Sequence, residues 1–391
     1  MRTRGWFAHI FHRFPASAAD ARAATRRTPS SRFDAESIAP STTCGPRGPS
    51  LPRLGVFATT IAGVCALAGT LWVIAPAAWS ADGPLDEVPA VRSFLREVES
   101  RHGLDRAWLQ GLFREARRQQ SILDAFSRPA EAKPWHAYRK IFVTPDRIRR
   151  GVEFAREHRA VLERVTARFG VPAETVAAII GVETFYGRYT GRYRVIDALS
   201  TLAFFAPRRG SFFRRELEEF LLMLNEEDRA SADLKGSYAG AIGVPQFIPS
   251  SYREYAVDFD GDGRRDLVGS VDDAMGSVGS YLHRHGWREG EPVAFRLAAT
   301  DPGRADPLAG GLRPERVWGD LEEVGLSVAE ADPKPLPDTP VTLVRLDGAR
   351  GTEYWVGLPN FYVITRYNHS ALYAMAVHQL AVEIRRGGES G

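Results

Sequence analysis

In the stretch "GVPAETVAAIIGVETFYG", Val176, Ile179 and Ile180 are spaced i, i+3 and i+4, which predicts one apolar face of a helix. Pro172 stands at a typical first-turn position for that helix. The next position on the same face is Glu183. A carboxylate on a buried face costs several kcal/mol unless it is paired or neutral. Burial should therefore raise its pKa, as a general acid working near neutral pH requires.

Helical periodicity dominates what surrounds it. Residues 85–170 read as helices with little else, among them "VPAVRSFLREVESRHG" and "DRAWLQGLFREARRQQ", each followed by a turn or polar break. Thr144-Pro145-Asp146 opens a third, expected to run to Phe169 and to close at Gly170. "VIDALSTLAFF" and "FFRRELEEFLLMLNEE" follow the Glu183 helix, and one more helix is expected from about Val271 to His285. Residues 291–350 change in character: Pro, Gly and short runs such as "PVAFRL" and "VTLVRL" predict a small β-rich insert. The chain closes on "EYWVGLPNFYVITRYNHSALYAMAVHQLAVEI", read as a turn and then a helix from about Ser370. The expected fold class is mainly α (α+β). It comprises a helical subdomain at 85–150, a catalytic core at 151–290, the insert at 291–350 and a return to the core at 351–387.

The N-terminus differs in composition. Residues 1–53 carry nine Arg, no Lys and three acids among many Ser, Thr, Ala and Pro, a composition that cannot bury a core and predicts disorder. Residues 54–81 carry no charge, and a run of that length can span a bilayer, for which roughly 20 apolar residues suffice. Basic residues before it and "ADGPLDE" after it place the leader in the cytoplasm and the remainder outside. The run reads as a signal peptide or a membrane anchor, with Ala78-Trp79-Ser80 offering small residues at the two places a signal peptidase inspects. The expected location is therefore periplasmic or cell envelope.

Charge and cysteine usage narrow the partners. The leader holds nine of 51 basic and three of 48 acidic residues, so the chain beyond it has 42 and 45, a net charge of −3. That balance gives no support to nucleic-acid binding. Both cysteines, Cys44 and Cys65, lie in the leader and the apolar run, so the exported part folds without disulfides. About 300 residues can do so.

Two stretches carry chemistry besides the Glu183 helix. "KGSYAGAIGVPQFIPSSYREYAVDF" supplies Ser237, Gln246 and Ser250 among small residues, and "GLPNFYVITRYN" supplies Tyr362 and Tyr367. Aromatic rings, amides and hydroxyls around one acid suit a sugar cleft, since rings stack on pyranose faces. In "DFDGDGRRD", Asp258, Asp260, Asp262 and Asp266 fall at positions 1, 3, 5 and 9 of a calcium loop. Gly263 takes the sharp turn and Arg264 the seventh position, which offers a backbone carbonyl. Gly269 stands where the closing Glu belongs, so Asp272 or Asp273 is expected to close the site, with Asp273 the candidate ligand.

Together, "GVET...G......DAL.TL.F", "KGS.AGA.G..QF.PSSY..YAVDF.GDG" and "GLPNFY.ITRYN" resemble the lytic murein transglycosylase B family, whose cores are lysozyme-like. The resemblance runs from about residue 85 to 385. It implies that Glu183 is the single catalytic acid/base and that Ser237, Gln246, Tyr281 and Tyr367 line the cleft. It also implies a lengthened loop holding one structural calcium ion, with no cofactor in catalysis. The implied partner is the glycan strand of peptidoglycan, cleaved to a 1,6-anhydro sugar without consuming water.

The residues agree with one carboxylate. An ordinary glycosidase uses two, yet Glu174 lies on the opposite face of the Glu183 helix and Asp197 in the next one. Two rivals stay open at this point. A hydrolytic muramidase or chitinase would need a second carboxylate facing Glu183. A non-catalytic peptidoglycan-binding scaffold would keep the aromatics without needing a protonated acid.

Overall fold

The computed structural model describes residues 84–127, 133–227, 233–298, 301–329 and 334–389. The Arg-rich leader and the uncharged run at 54–81 lie outside the described residues. No single helix among the described residues is long and apolar enough to cross a membrane.

Helix Ala173–Thr184 lies at the centre of the helical body. Every residue from Thr175 to Thr184 is buried, so the apolar face expected at Val176, Ile179 and Ile180 is in fact the whole circumference. A helix apolar all round belongs in an interior. Ala177, Ala178 and Gly181 let its neighbours approach closely, and fully buried Ile179 and Ile180 each contribute about 1.5–3 kcal/mol. Helices Pro145–Glu157, Arg159–Phe169, Val271–Arg284 and Ala371–Glu389 pack around it.

One expected helix is two. The segment from Thr144 to Phe169 breaks at His158 (φ −102°, ψ 23°), giving Pro145–Glu157 and Arg159–Phe169. The outer boundaries stand as expected: Thr144 accepts the Arg147 amide as an N-cap, and Gly170 closes the second helix at φ 69°. No period in the sequence signals the bend, because both halves keep helical spacing while turning separate faces, led by Phe154 and by Leu162 and Val165, into the body.

The N-terminal helices cap one side. Helix Pro89–His102 ends at left-handed Gly103 (φ 68°), and Asp105 caps helix Arg106–Glu115 by accepting the Trp108 amide at 2.6 Å. Phe94 joins this layer to Phe204 of helix Val195–Phe205, with ring centroids 5.7 Å apart.

The β-rich unit is a four-stranded antiparallel sheet, in the order Ala294–Arg296, Gly351–Gly357, Pro340–Gly348, Arg316–Val317. The boundary expected at 350 falls inside the hairpin of its two long strands, which pair from Thr342↔Gly357 to Gly348↔Gly351. Alternation sorts the side chains. Val341, Leu343, Tyr354 and Val356 join Trp318 and Leu321 in a separate small core, while Val344 and its cross-strand partner Trp355 belong to the opposite face. Beyond the sheet, "GLPNFYVITRYN" forms helix Pro359–Tyr367, where only a turn was expected, ahead of helix Ala371–Glu389.

Candidate active site

Glu183 is 5% exposed at the C-terminal end of its helix. Its Oε1 accepts a hydrogen bond from the Tyr373 hydroxyl at 2.6 Å, and its buried Oε2 has no partner among the described residues. Burial raises the pKa to about 8, against a smaller lowering by the Tyr373 hydrogen bond, which favours the charged form. At neutral pH the group therefore holds its proton.

A strained turn fixes the end of this helix. Phe185 (φ 53°) and Tyr186 (φ 60°) are consecutive non-glycine residues in the left-handed region, a conformation that costs of order 1–3 kcal/mol per residue and persists only when its surroundings hold it. The holding contacts are specific. The Tyr186 hydroxyl donates to the Arg147 carbonyl at 2.9 Å, and the buried Arg147 guanidinium lies 4.9 Å from the Phe185 ring centroid. Tyr186 threads between two helices where glycines leave room: a Cβ at Gly181 would lie 2.6 Å from its hydroxyl oxygen, and one at Gly151 2.5 Å. Thr184 ties the turn to the next loop, its hydroxyl donating to Val244 O at 2.9 Å and accepting from the Gly187 amide at 3.0 Å.

The small-residue loop reaches this turn through a two-stranded ladder, Tyr193–Arg194 against Lys235–Gly236. A Cβ at Gly191 would lie 2.0 Å from the Gly236 carbonyl, so that approach requires glycine. Ser237 is 1% exposed, and its hydroxyl oxygen accepts from the Ala241 amide at 3.0 Å. Gln246, itself left-handed at φ 54°, donates through Nε2 to Thr190 O at 3.0 Å and Gly243 O at 2.8 Å. Its buried Oε1 has no partner among the described residues.

Tyr367 joins loop and acid. Its hydroxyl donates to Pro245 O at 2.6 Å, and its ring stacks on Tyr373 with centroids 6.4 Å apart at 12°. Tyr281 packs edge-on against Tyr367 at 4.8 Å and donates to Arg366 O at 2.5 Å. Burial first, and the negative charge of Glu183 second, raise the pKa of Tyr138, Tyr367 and Tyr373, and of these three it is the Tyr373 hydroxyl that meets the acid. Tyr362 stands apart, half-buried under Arg313 and Arg366 at 5.8 and 6.0 Å.

Sequence reasoning missed Tyr373 and Tyr138. Each sits among apolar residues at helical spacing, in "SALYAMAV" and "WHAYRKIF", and so reads as core. Nearby acids are engaged elsewhere: Glu174 pairs with Arg385 at 3.6 Å, and Asp197 accepts the Arg117 amide at 2.9 Å. A further buried acid, Glu216, accepts from both the amide and the hydroxyl of Ser250 at 3.0 and 2.9 Å, fixing the start of helix Pro249–Tyr255.

In the acidic loop, carboxylate oxygens of Asp258, Asp260 and Asp262 lie within 4.8 Å of one another, an arrangement of like charges that suits a hard divalent cation. Asp258 also accepts the Gly261 and Gly263 amides at 2.7 and 2.9 Å. Asp266 and Asp273 are not part of that group of three. Asp266 accepts the Val268 and Gly269 amides, both at 3.0 Å, and fully buried Asp273 accepts those of Phe259 at 2.7 Å, Asp260 at 3.3 Å and Asp266 at 2.7 Å. The Arg264 amide donates to Asp262 at 2.8 Å.

A helical body with a buried acid at the end of its central helix has the lysozyme-like architecture of the lytic transglycosylases. Residues 86–382 match the transglycosylase SLT domain, and the chain belongs to that family. It is 44% identical over 303 residues to membrane-bound lytic murein transglycosylase B of Escherichia coli K12, covering 75% of this chain and 81% of that protein. Soluble lytic transglycosylase SltB1 of Pseudomonas aeruginosa superposes with a TM-score of 0.72 at 51% identity, over 76% of this chain and 99% of that one. The E. coli lytic transglycosylase Slt35, solved in complex with calcium, gives 0.71 at 41% identity over 78% and 96%.

Proposed function

We propose that this lytic murein transglycosylase cuts the β-1,4 bond between N-acetylmuramic acid and N-acetylglucosamine with Glu183 as its only acid and base. The observation that carries the reading is the division of labour on one carboxyl group. Oε1 is anchored by Tyr373, Oε2 has no partner among the described residues, and burial keeps the proton on.

Glu183 gives its proton to the glycosidic oxygen as the bond to muramic acid C1 breaks. The resulting carboxylate then takes the proton of the C6 hydroxyl on the same ring while O6 bonds to C1. The acid regains its proton, a 1,6-anhydro sugar is the product, and water is neither consumed nor released. Because O6 is tethered to the reacting ring, its effective concentration is high enough to outcompete water. Ser237, Gln246, Tyr281 and Tyr367 are the cleft residues that orient the sugars, and the bare Gln246 Oε1 is an acceptor for a substrate N–H or hydroxyl. Tyr362 is assigned to the outer reach of the same glycan path.

Asp258, Asp260 and Asp262, with the Arg264 carbonyl and Asp266 at their loop positions, are the residues that would hold one calcium ion, whose role is to stiffen the loop. Asp273 organises it through backbone amides. Peptidoglycan lies outside the cytoplasmic membrane, so the uncharged run at 54–81 is assigned to export or anchoring.

Digestion of peptidoglycan in ¹⁸O-labelled water tests the chemistry. The expected products are unlabelled anhydro ends, and Glu183→Gln should lower their formation by about 10²–10⁴-fold or more. Stoichiometric ¹⁸O at the new sugar end would establish a hydrolase instead, and absence of cleavage by the wild type a binding scaffold.

A further inference from the structure

A cavity of about 1140 Å³ opens between the β-rich sheet and the helical body, and Glu183 is not among its lining residues. The three helices that build the acid site also build this cavity, from other positions. Helix Trp135–Phe142 carries Tyr138 towards the acid and Arg139 and Lys140 into the cavity wall, and helix Ala371–Glu389 likewise carries Tyr373 and His378. Helix Ala173–Thr184 has Glu183 near one end and Glu174 near the other, about 13 Å apart along its axis at 1.5 Å per residue.

The walls combine rings with uncompensated positive charge. Trp355 stands edge-on to His378 at 6.1 Å and 80°, both half-buried. Trp287 is 8% exposed in the lining, and its indole N–H has no acceptor among the described residues. Three lining acids are ion-paired, Glu174 to Arg385 at 3.6 Å, Glu383 to Arg386 at 3.5 Å and Glu291 to Arg288 at 3.4 Å, while Glu353 accepts the neutral Trp355 N–H at 3.4 Å and keeps its own charge, one against the three cations that follow. Exposed Lys140, Arg296 and Arg350 have no carboxylate partner among the described residues.

We propose that this cavity is a second, non-catalytic site for a carboxylate-bearing muropeptide, a sugar with its peptide stem. The inference rests on the murein-cleaving reading above. The Trp355 and His378 rings suit a sugar face or an apolar peptide side chain, and the three cations suit the stem carboxylates. The volume of about 1140 Å³ exceeds the roughly 300–1,000 Å³ of small-molecule pockets, leaving room for a larger ligand such as a sugar with a peptide. Ligand pockets favour such junctions between structural units. Holding one segment of the polymer here raises the effective concentration of its neighbours at Glu183.

Calorimetric titration with a soluble disaccharide–tetrapeptide tests this in the Glu183→Gln chain, which cannot turn it over. Two equivalents should bind, falling to one when Arg296→Glu and Arg350→Glu are added together, and likewise with Lys140→Glu from the opposite wall. The same disaccharide without its peptide should bind once throughout. With Glu183 intact, the charge reversals should leave kcat on a short peptide-free glycan unchanged and raise KM for intact peptidoglycan several-fold. One equivalent in the parent, or two that survive both charge reversals, would overturn the proposal. Cleavage by the wild type, measured in parallel, separates that result from a failure of the murein reading.

Discussion

The Tyr373 hydroxyl meets Glu183 Oε1 at 2.6 Å across 190 positions of sequence. This contact and burial act in opposite directions on one proton: desolvation holds it on, and the hydrogen bond to the charged form eases it off. In the proposed mechanism their balance sets the pH range in which the group serves first as acid and then as base.

That balance predicts two pH dependences. If Glu183 is the proposed acid, activity needs its protonated form, so kcat/KM should fall on a basic limb near the group's pKa of about 8. Stability carries the same sign. The folded state keeps a proton that the unfolded chain loses near the ordinary glutamate value of 4.5, so this group's contribution is complete below that pH and is lost as pH rises through about 8. Melting curves of wild type and Glu183→Gln across that window should converge at low pH, and the wild type should fall relative to the variant as pH rises. A constant difference would show that Glu183 does not titrate there.

Tyr373→Phe removes the contact that favours the carboxylate. The basic limb should move to higher pH, and kcat should fall by about tenfold, the equivalent of roughly 1.4 kcal/mol and within the range of a single hydrogen bond. A Tyr373 that only filled space would lower stability and leave the limb in place.

Gly181→Ala should push Tyr186 out of its slot, since the added Cβ would lie 2.6 Å from the hydroxyl and from Cζ. Overpacking of this kind costs about 1–3 kcal/mol, and here it also releases the left-handed turn after Glu183. Denaturant unfolding should show that loss, with activity at permissive temperature reduced as well. Tyr186→Phe in the same background should recover little stability, because ring atoms Cζ and Cε1 would still lie 2.6 and 2.9 Å from the added Cβ. Tyr186→Ala should relieve the overpacking and leave activity low, because the turn has lost its anchor.

Saturating calcium should raise the melting temperature by mass action, by the equivalent of about 2.7 kcal/mol at a hundred times the Kd. Asp258→Ala should abolish the rise, while activity below the melting transition stays close to wild type. Identical melting of the wild type in calcium and in chelator would mean that the three carboxylates form a turn and nothing more.

Local chemistry made much of this protein legible in its sequence. Helical spacing marks Pro89–His102, Val195–Phe205 and Val271–Arg284, because a period near 3.6 is imposed by the backbone of each segment alone. Gly170 and Thr144 announce their ends through left-handed backbone or amide capping, again without reference to the rest of the chain. Glu183 stood out because a lone carboxylate among Val, Ile and Ala is costly wherever the helix lies. Tertiary structure decided what surrounds it. Whether one face or all faces of that helix were buried, whether the chain turned at His158, and which tyrosines reached the acid depended on helices brought together from distant segments. Tyr373 and Tyr138 carry no local mark, since a tyrosine on an apolar face packs equally well in a plain core. Their role follows from where the hydroxyl ends, and that is set by the sum of many weak packing contacts rather than by any motif.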